Sequence, residues 1–161
     1  MISADQLVFA LALLAALGCG LMAGVFFAFS FFVMRALCRL GAAGGIAAMQ
    51  AINIAVINPV FMTVFLGTAA LSVSVLLVCL LRWPDSGGAY LVAGSVLYLA
   101  GTFLVTVVCN VPRNNALAAV EAASAEGARV WAAYVPGWTR WNHVRTAAAL
   151  AAAAGFSLAL A

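Results

Sequence analysis

From Leu7 to Met34 the chain runs without one charged residue or proline, and long apolar stretches follow from Ile46 to Leu81, Tyr90 to Val111 and Trp138 to Ala161. A helical crossing of a bilayer takes about 20 residues, and a soluble helix needs only one apolar face. Composition supports the membrane alternative: 7% charged residues cannot build the water-facing surface for which an ordinary domain uses roughly 25%. The pattern predicts an all-α integral membrane protein of one domain, residues 1–161. Its four transmembrane helices, at about 7–34, 59–82, 90–111 and 138–160, would pack as an antiparallel bundle.

The boundaries follow from local chemistry. Leu7–Met34 lacks a basic leader, starts after Asp5 and is too long for a signal-peptide core, so it is expected to be retained. As a helix it would be about 42 Å long, beyond the roughly 30 Å of hydrocarbon, and must tilt or protrude. Ala16, Gly20, Gly24 and Ala28 recur every four residues and predict a flat stripe for packing inside the subunit. Gly41, Gly44 and Gly45 mark a loop. Ile46–Leu81 is too long for one straight crossing, so Asn58-Pro59 is the expected break, leaving a short interfacial or re-entrant helix before the second span. Arg82-Trp83-Pro84-Asp85-Ser86-Gly87-Gly88 is an interfacial turn. Asn110-Val111-Pro112-Arg113-Asn114 should close the third span. The stretch with Glu121, Glu126 and Arg129 then predicts a surface helix and loop, and Trp131 to Gly137 an aromatic interfacial segment before the last span.

All seven basic residues are arginines, and Arg35, Arg39, Arg113, Arg129, Arg140 and Arg145 lie near the connections after spans one and three, with Arg82 alone at the other side. By the positive-inside rule that end is cytoplasmic, which predicts a multi-pass cell-membrane protein with both termini outside. A formal net charge of +3 without a clustered basic face gives no reason to expect nucleic acid as a partner. Cys19, Cys38, Cys79 and Cys109 form no C-x-x-C pair and signal neither a zinc site nor a disulfide framework.

Polar side chains at membrane depth are expensive, so their placement points to function. They gather in three segments predicted on the arginine-rich side: Gln50, Asn53 and Asn58; Asn110, Arg113 and Asn114; and Trp138 to Arg145. Trp138, Trp141, Asn142 and Arg145 follow i, i+3, i+4, i+7 spacing and share a helix face, with Arg140 and His143 on a neighbouring one. Tryptophan faces can stack on an aromatic ring, amides can orient its oxygens, and arginine can stabilise a phenolate or enolate. His143, the one histidine, is the candidate general base. Bis-histidine haem ligation would need a second histidine, a quinone-linked thiol oxidoreductase a C-x-x-C pair, and a proton-coupled transporter usually an acid within a span. No metal is expected and no cofactor either, with a haem held by His143 and a ligand of another kind as the alternative.

Four segments together carry a family resemblance: Gly24-Val25-Phe26-Phe27-Ala28-Phe29-Ser30 with Val33-Met34-Arg35-Ala36-Leu37; Met49-Gln50-Ala51-Ile52-Asn53 followed by Asn58-Pro59; Asn110-Val111-Pro112-Arg113-Asn114-Asn115; and Trp138-Thr139-Arg140-Trp141-Asn142-His143-Val144-Arg145. With them the chain resembles the anthrone oxygenase-like membrane proteins nearly end to end. Some members have proline where this chain has Arg35. The resemblance implies oxidation by O₂ of an anthrone, a tricyclic phenolic ketone, to an anthraquinone, without metal or flavin. On that expectation the partners are membrane lipid and a hydrophobic aromatic molecule that enters from it, a polycyclic phenol, an anthrone or a quinol-like compound, and a homo-oligomer is compatible with it. His143 would be the base and Arg140, Arg145 and Arg113 would stabilise the anion. Gln50, Asn53, Asn58, Asn110, Asn114 and Asn142 would line the site and Trp138 and Trp141 would stack. The rival expectation is a non-catalytic membrane protein that binds a lipid or small hydrophobic molecule, or an assembly subunit.

Overall fold

The structure, a computed structural model, describes residues 4–84 and 86–161; Asp85 of the expected interfacial turn lies outside them. Among the described residues there are five helices and no strand. The first, α1, runs from Gln6 to Arg39 and widens into a π-helical turn at Phe29–Val33. Gly41, at φ +74°, makes the left-handed step into α2, Gly41–Ala55, a conformation that disfavours any residue with a Cβ. Asn58 then caps α3, Pro59–Leu81: its Oδ1 accepts the Phe61 amide at 3.0 Å, and its Nδ2 donates to the Ala55 carbonyl at 2.9 Å. α4 spans Gly88–Ala118 and is π-helical at Leu97–Leu104 and Thr106–Asn110. Ser124 caps α5, Ala125–Leu158, by accepting the Gly127 amide at 2.8 Å.

α1, α3 and α4 are each long and apolar enough to cross a membrane and α2 is a shorter apolar helix, as expected of a multi-pass membrane protein. α5 packs along α1 and along α4, while α3 packs against both of those helices. Two apolar cores result. The larger one holds Ala15, Cys19, Met22, Tyr98, Ala149 and Phe156. The smaller, at the end where α2 folds over α4 and α5, holds Met34, Ile46, Met49, Leu117, Trp131 and Trp138.

Several boundaries differ from expectation. Pro112 does not close the third span, because α4 continues to Ala118 and carries Arg113 and Asn114 on its last turns. The π turn at Thr106–Asn110 just before it has already left the regular i→i+4 ladder that a proline would break. The separate surface helix and interfacial segment are also corrected: Glu126, Arg129 and Trp131 to Gly137 all belong to α5, which passes through Pro136 unbroken. Pro136 and Ala132, whose carbonyl loses its usual donor, both lie exposed, so that group does not become a buried orphan.

The glycine stripe on α1 faces the wrong way for packing inside the subunit. Gly20 and Gly24 are exposed, and a Cβ on either would meet no atom within 4 Å. The close approach is at Gly18 instead, where a Cβ would run into the Thr68 hydroxyl of α3. Small residues at i, i+4 spacing mark a smooth face without saying which neighbour takes it.

Candidate functional site

A polar layer lies between the two apolar cores, and it centres on Asn142 and Arg145 of α5. Asn142 is 0% exposed. Its Nδ2 donates to the Phe26 carbonyl at 2.7 Å and to the Ser30 hydroxyl at 2.8 Å, both on α1. Its Oδ1 accepts from Arg145 Nη2 at 2.7 Å. Thr146, one turn on, donates to the Asn142 carbonyl at 2.8 Å and lies 3.0 Å from the Ser30 hydroxyl. The wide turn at Phe29–Val33 begins beside the carbonyl and the hydroxyl that Asn142 reaches.

Arg145 is 5% exposed and has no carboxylate partner among the described residues. Its guanidinium carbon stands 4.3 Å from the Phe26 ring centre and 5.2 Å from that of Trp138, so two aromatic faces flank the charge. Nη1 donates to the Thr106 hydroxyl of α4 at 3.2 Å, and Nε is buried with no partner. Asn110, one turn beyond Thr106, donates from Nδ2 to the Trp138 carbonyl at 3.3 Å and leaves its buried Oδ1 without a donor. Thr106 and Asn110 bound the second wide turn of α4. Wide turns in two helices thus face one polar layer, and such turns recur at functional sites.

Towards the α2 end, Trp131, Tyr134 and Trp138 stack along α5 with ring centres 5.6 and 6.1 Å apart. Asn114 Oδ1 accepts from both the Tyr134 hydroxyl and Trp138 Nε1, each at 2.9 Å, and so ties the stack to α4. Tyr134 lies on α5 ahead of the last expected span. Burial pushes its hydroxyl pKa up, while the nearby Asn53 side chain and the Arg145 charge hold it partly back.

The expected site residues therefore divide. Asn110, Trp138, Asn142 and Arg145 meet in the polar layer, with Asn114 holding the Trp138 ring from behind. Asn53 joins the Tyr134 group, its side chain against the Tyr134 hydroxyl. Gln50 bridges α2 to the end of α4, donating to the Leu117 and Val120 carbonyls at 2.9 and 3.0 Å. Asn58 serves as a helix cap. Arg113 donates to the Cys109 carbonyl and lies against Gly137 of α5. Arg140 is exposed over the half-buried Trp141 ring, 5.4 Å from its centre. His143 is exposed too, 5.7 Å from the Phe31 ring, on the face of α5 turned from the Arg145 group.

Phe26, Ser30, Thr106, Tyr134 and Thr146 belong to the same constellation although none was expected as a site residue. Phe26 and Ser30 lie in a segment that carries the family resemblance, and Thr146 follows Asn142 by four residues on the same helix face. A cleft of about 470 Å³ opens at the opposite end of the bundle, between Val8, Arg82, Trp83, Leu91 and Leu160, rather than at the arginine-rich end. Among the described residues no three His, Cys, Asp or Glu side chains gather to hold a metal ion.

The family model for anthrone oxygenase matches residues 61–155, more than half of the chain, and takes in the Asn110–Asn115 and Trp138–Arg145 segments. No curated protein and no solved structure matches the chain. The chain belongs to the anthrone oxygenase family.

Proposed function

With that membership as premise, we propose that the protein is a membrane oxygenase that converts a hydrophobic anthrone-like carbon acid to its quinone with O₂, and that Arg145 holds the anionic oxygen. One observation carries this: a guanidinium buried between two aromatic rings, with an unused N–H and no carboxylate partner among the described residues. A desolvated charge costs several kcal/mol unless something compensates it. An enolate supplies the missing negative charge on a flat ring system suited to the Phe26 and Trp138 faces.

The chemistry balances without a group beyond O₂. Loss of a proton from the carbon opposite the ketone gives an enolate, whose charge Arg145 stabilises at the oxygen. The carbon's electron pair forms a C–O bond to O₂ and yields a hydroperoxide after protonation. Loss of water from that hydroperoxide leaves the second ketone. His143 faces away from Arg145, so the proton passes in our proposal to water or hydroxide from the arginine-rich end. Asn142 fixes the guanidinium and is already fully engaged, a structural role.

The same proposal makes the second half of α5, from Trp138, a fourth crossing that completes an antiparallel four-helix bundle. Asn142, Arg145 and Thr146 face inward there, and beyond Val144 the exposed residues are alanines, leucines and Ser157. Both termini then lie outside and the α2 end faces the cytoplasm, with Arg145 as an interior group and the five remaining arginines of that end marking the topology.

The test is oxygen uptake by the purified full chain with an anthrone, compared with Arg145→Gln and His143→Ala. Arg145→Gln should lose about 10²–10³-fold in turnover, the range for removing one oxyanion donor, and His143→Ala should stay close to wild type. A wild-type rate no faster than spontaneous oxidation would reject the anthrone substrate, and an undiminished Arg145→Gln rate would reject the anion site.

A further inference from the structure

We infer that Asn110 is a specificity-determining residue, which accepts a hydrogen bond from a phenolic hydroxyl on the substrate that is not chelated to the ring ketone. This rests on the oxygenase proposal for where the substrate lies, but it concerns a different atom and a different part of the ligand.

Asn110 is 1% exposed, and its two polar ends are in unequal states. The donor end is used, on the Trp138 carbonyl. The acceptor end, Oδ1, is buried and receives nothing. A buried amide oxygen left without a donor costs about 1–3 kcal/mol, so such atoms are rare unless a ligand or water serves them. Because Nδ2 is held on the α5 backbone, the amide cannot turn over to offer a donor instead without giving up that bond. The site therefore reads as an acceptor, and it selects O–H over O–CH₃ or C–H.

Its position gives the rest. Asn110 and Arg145 both touch Trp138, the first at its carbonyl and the second at its ring. Both also neighbour Thr106, which binds Arg145 and precedes Asn110 by one helical turn. Through Trp138 and Thr106 the orphaned donor Arg145 Nε and the orphaned acceptor Asn110 Oδ1 fall in the same polar layer with opposite polarity. A ligand that satisfies both must carry an oxyanion or ketone for the arginine and a hydroxyl for the asparagine. A hydroxyl chelated to that same ketone has its proton already committed, so a hydroxyl at another ring position is the one read.

The experiment uses the full chain in detergent with two pairs of probes. One pair is an anthrone with a non-chelated hydroxyl and its methyl ether, compared by kcat/KM. The other is the two corresponding anthraquinones, which are not turned over, compared by binding. Wild type should favour each hydroxyl compound by about tenfold or more, and Asn110→Ala should bring both ratios to within about threefold of one. A purely structural Asn110 would lower the hydroxyl and methoxy values together and leave the ratios unchanged. Wild-type ratios near one, ratios that survive in Asn110→Ala, or failure of both quinones to bind would overturn the inference. If Asn110→Ala does not fold, Asn110→Leu, which keeps the branched shape without an acceptor, takes its place with the same expected ratios. Discrimination between the quinones without anthrone turnover would support the role of Asn110 while the oxygenase proposal fails. Turnover without discrimination would do the reverse.

Discussion

Replacing Asn142 by aspartate separates holding Arg145 in place from leaving its charge available. In the wild-type site Arg145 Nη2 donates to Asn142 Oδ1 at 2.7 Å. A carboxylate there would set two unit charges about 4 Å apart, worth about 4 kcal/mol at an effective dielectric of 20. Opposing this, a second charge must be buried, at several kcal/mol, and the Phe26 carbonyl loses the N–H that now reaches it at 2.7 Å, at about 1–3 kcal/mol. The Ser30 hydroxyl can turn to donate to the new carboxylate. The balance is a modest destabilisation of about 1–3 kcal/mol, whereas Asn142→Leu, which strips the acceptor from a buried cation, should cost about 3–5 kcal/mol.

Activity should respond differently from stability. With a carboxylate beside it as counter-ion, Arg145 no longer needs the substrate's charge, and turnover per folded molecule should fall by about 10²–10³-fold. Thermal unfolding in detergent and oxygen uptake with an anthrone give the two readouts. A folded Asn142→Asp protein with turnover within about threefold of wild type would refute Arg145 as the anion site.

Other substitutions probe single contacts. Asn58→Ala removes the cap of α3 and should cost about 1 kcal/mol by thermal unfolding, with kcat/KM unchanged. Gly18→Val drives a side chain into Thr68 and should destabilise by about 1–3 kcal/mol or more, while Gly20→Val, at an open position, should change unfolding little. Tyr134→Phe deletes one of the two donors to Asn114 and should cost about 0.5–1.5 kcal/mol, with Trp138 still held through Nε1.

The apolar runs made the long helices legible, because bilayer thickness fixes the length of a crossing, and Asn58-Pro59 marked a real boundary, because proline and a capping amide each have a local geometric effect. Helix ends without such local chemistry were harder. Pro112 and Pro136 look alike in sequence, yet α4 and α5 pass through both, since a wide turn in one case and an exposed carbonyl in the other relieve the cost. Helical spacing found the Asn142 and Arg145 face correctly. It put Trp141 on that face too, although the half-buried ring instead lies under Arg140. The resemblance marked the Gly24–Ser30 segment, but no local spacing could show that Ser30 and Phe26 sit beside Asn142 and Arg145, more than a hundred residues later. That depends on α1 packing against α5, which periodicity does not specify.

The same packing explains why a polar layer can exist between two apolar cores. A regular helix keeps its backbone carbonyls for itself, yet here the Phe26 carbonyl takes the Asn142 amide and the Arg145 carbonyl lies 3.5 Å from the Thr102 hydroxyl. Backbone and short hydroxyl side chains, together with Arg145, satisfy the amide of Asn142, so it needs nothing from a ligand. Arg145 and Asn110 are different: each keeps one polar atom unpaired, one a cationic donor and one a neutral acceptor, and both residues contact Trp138. In our proposal these two atoms are left for a ligand, and that residual polarity separates the Arg145 and Asn110 part of the layer from the closed Asn142 part.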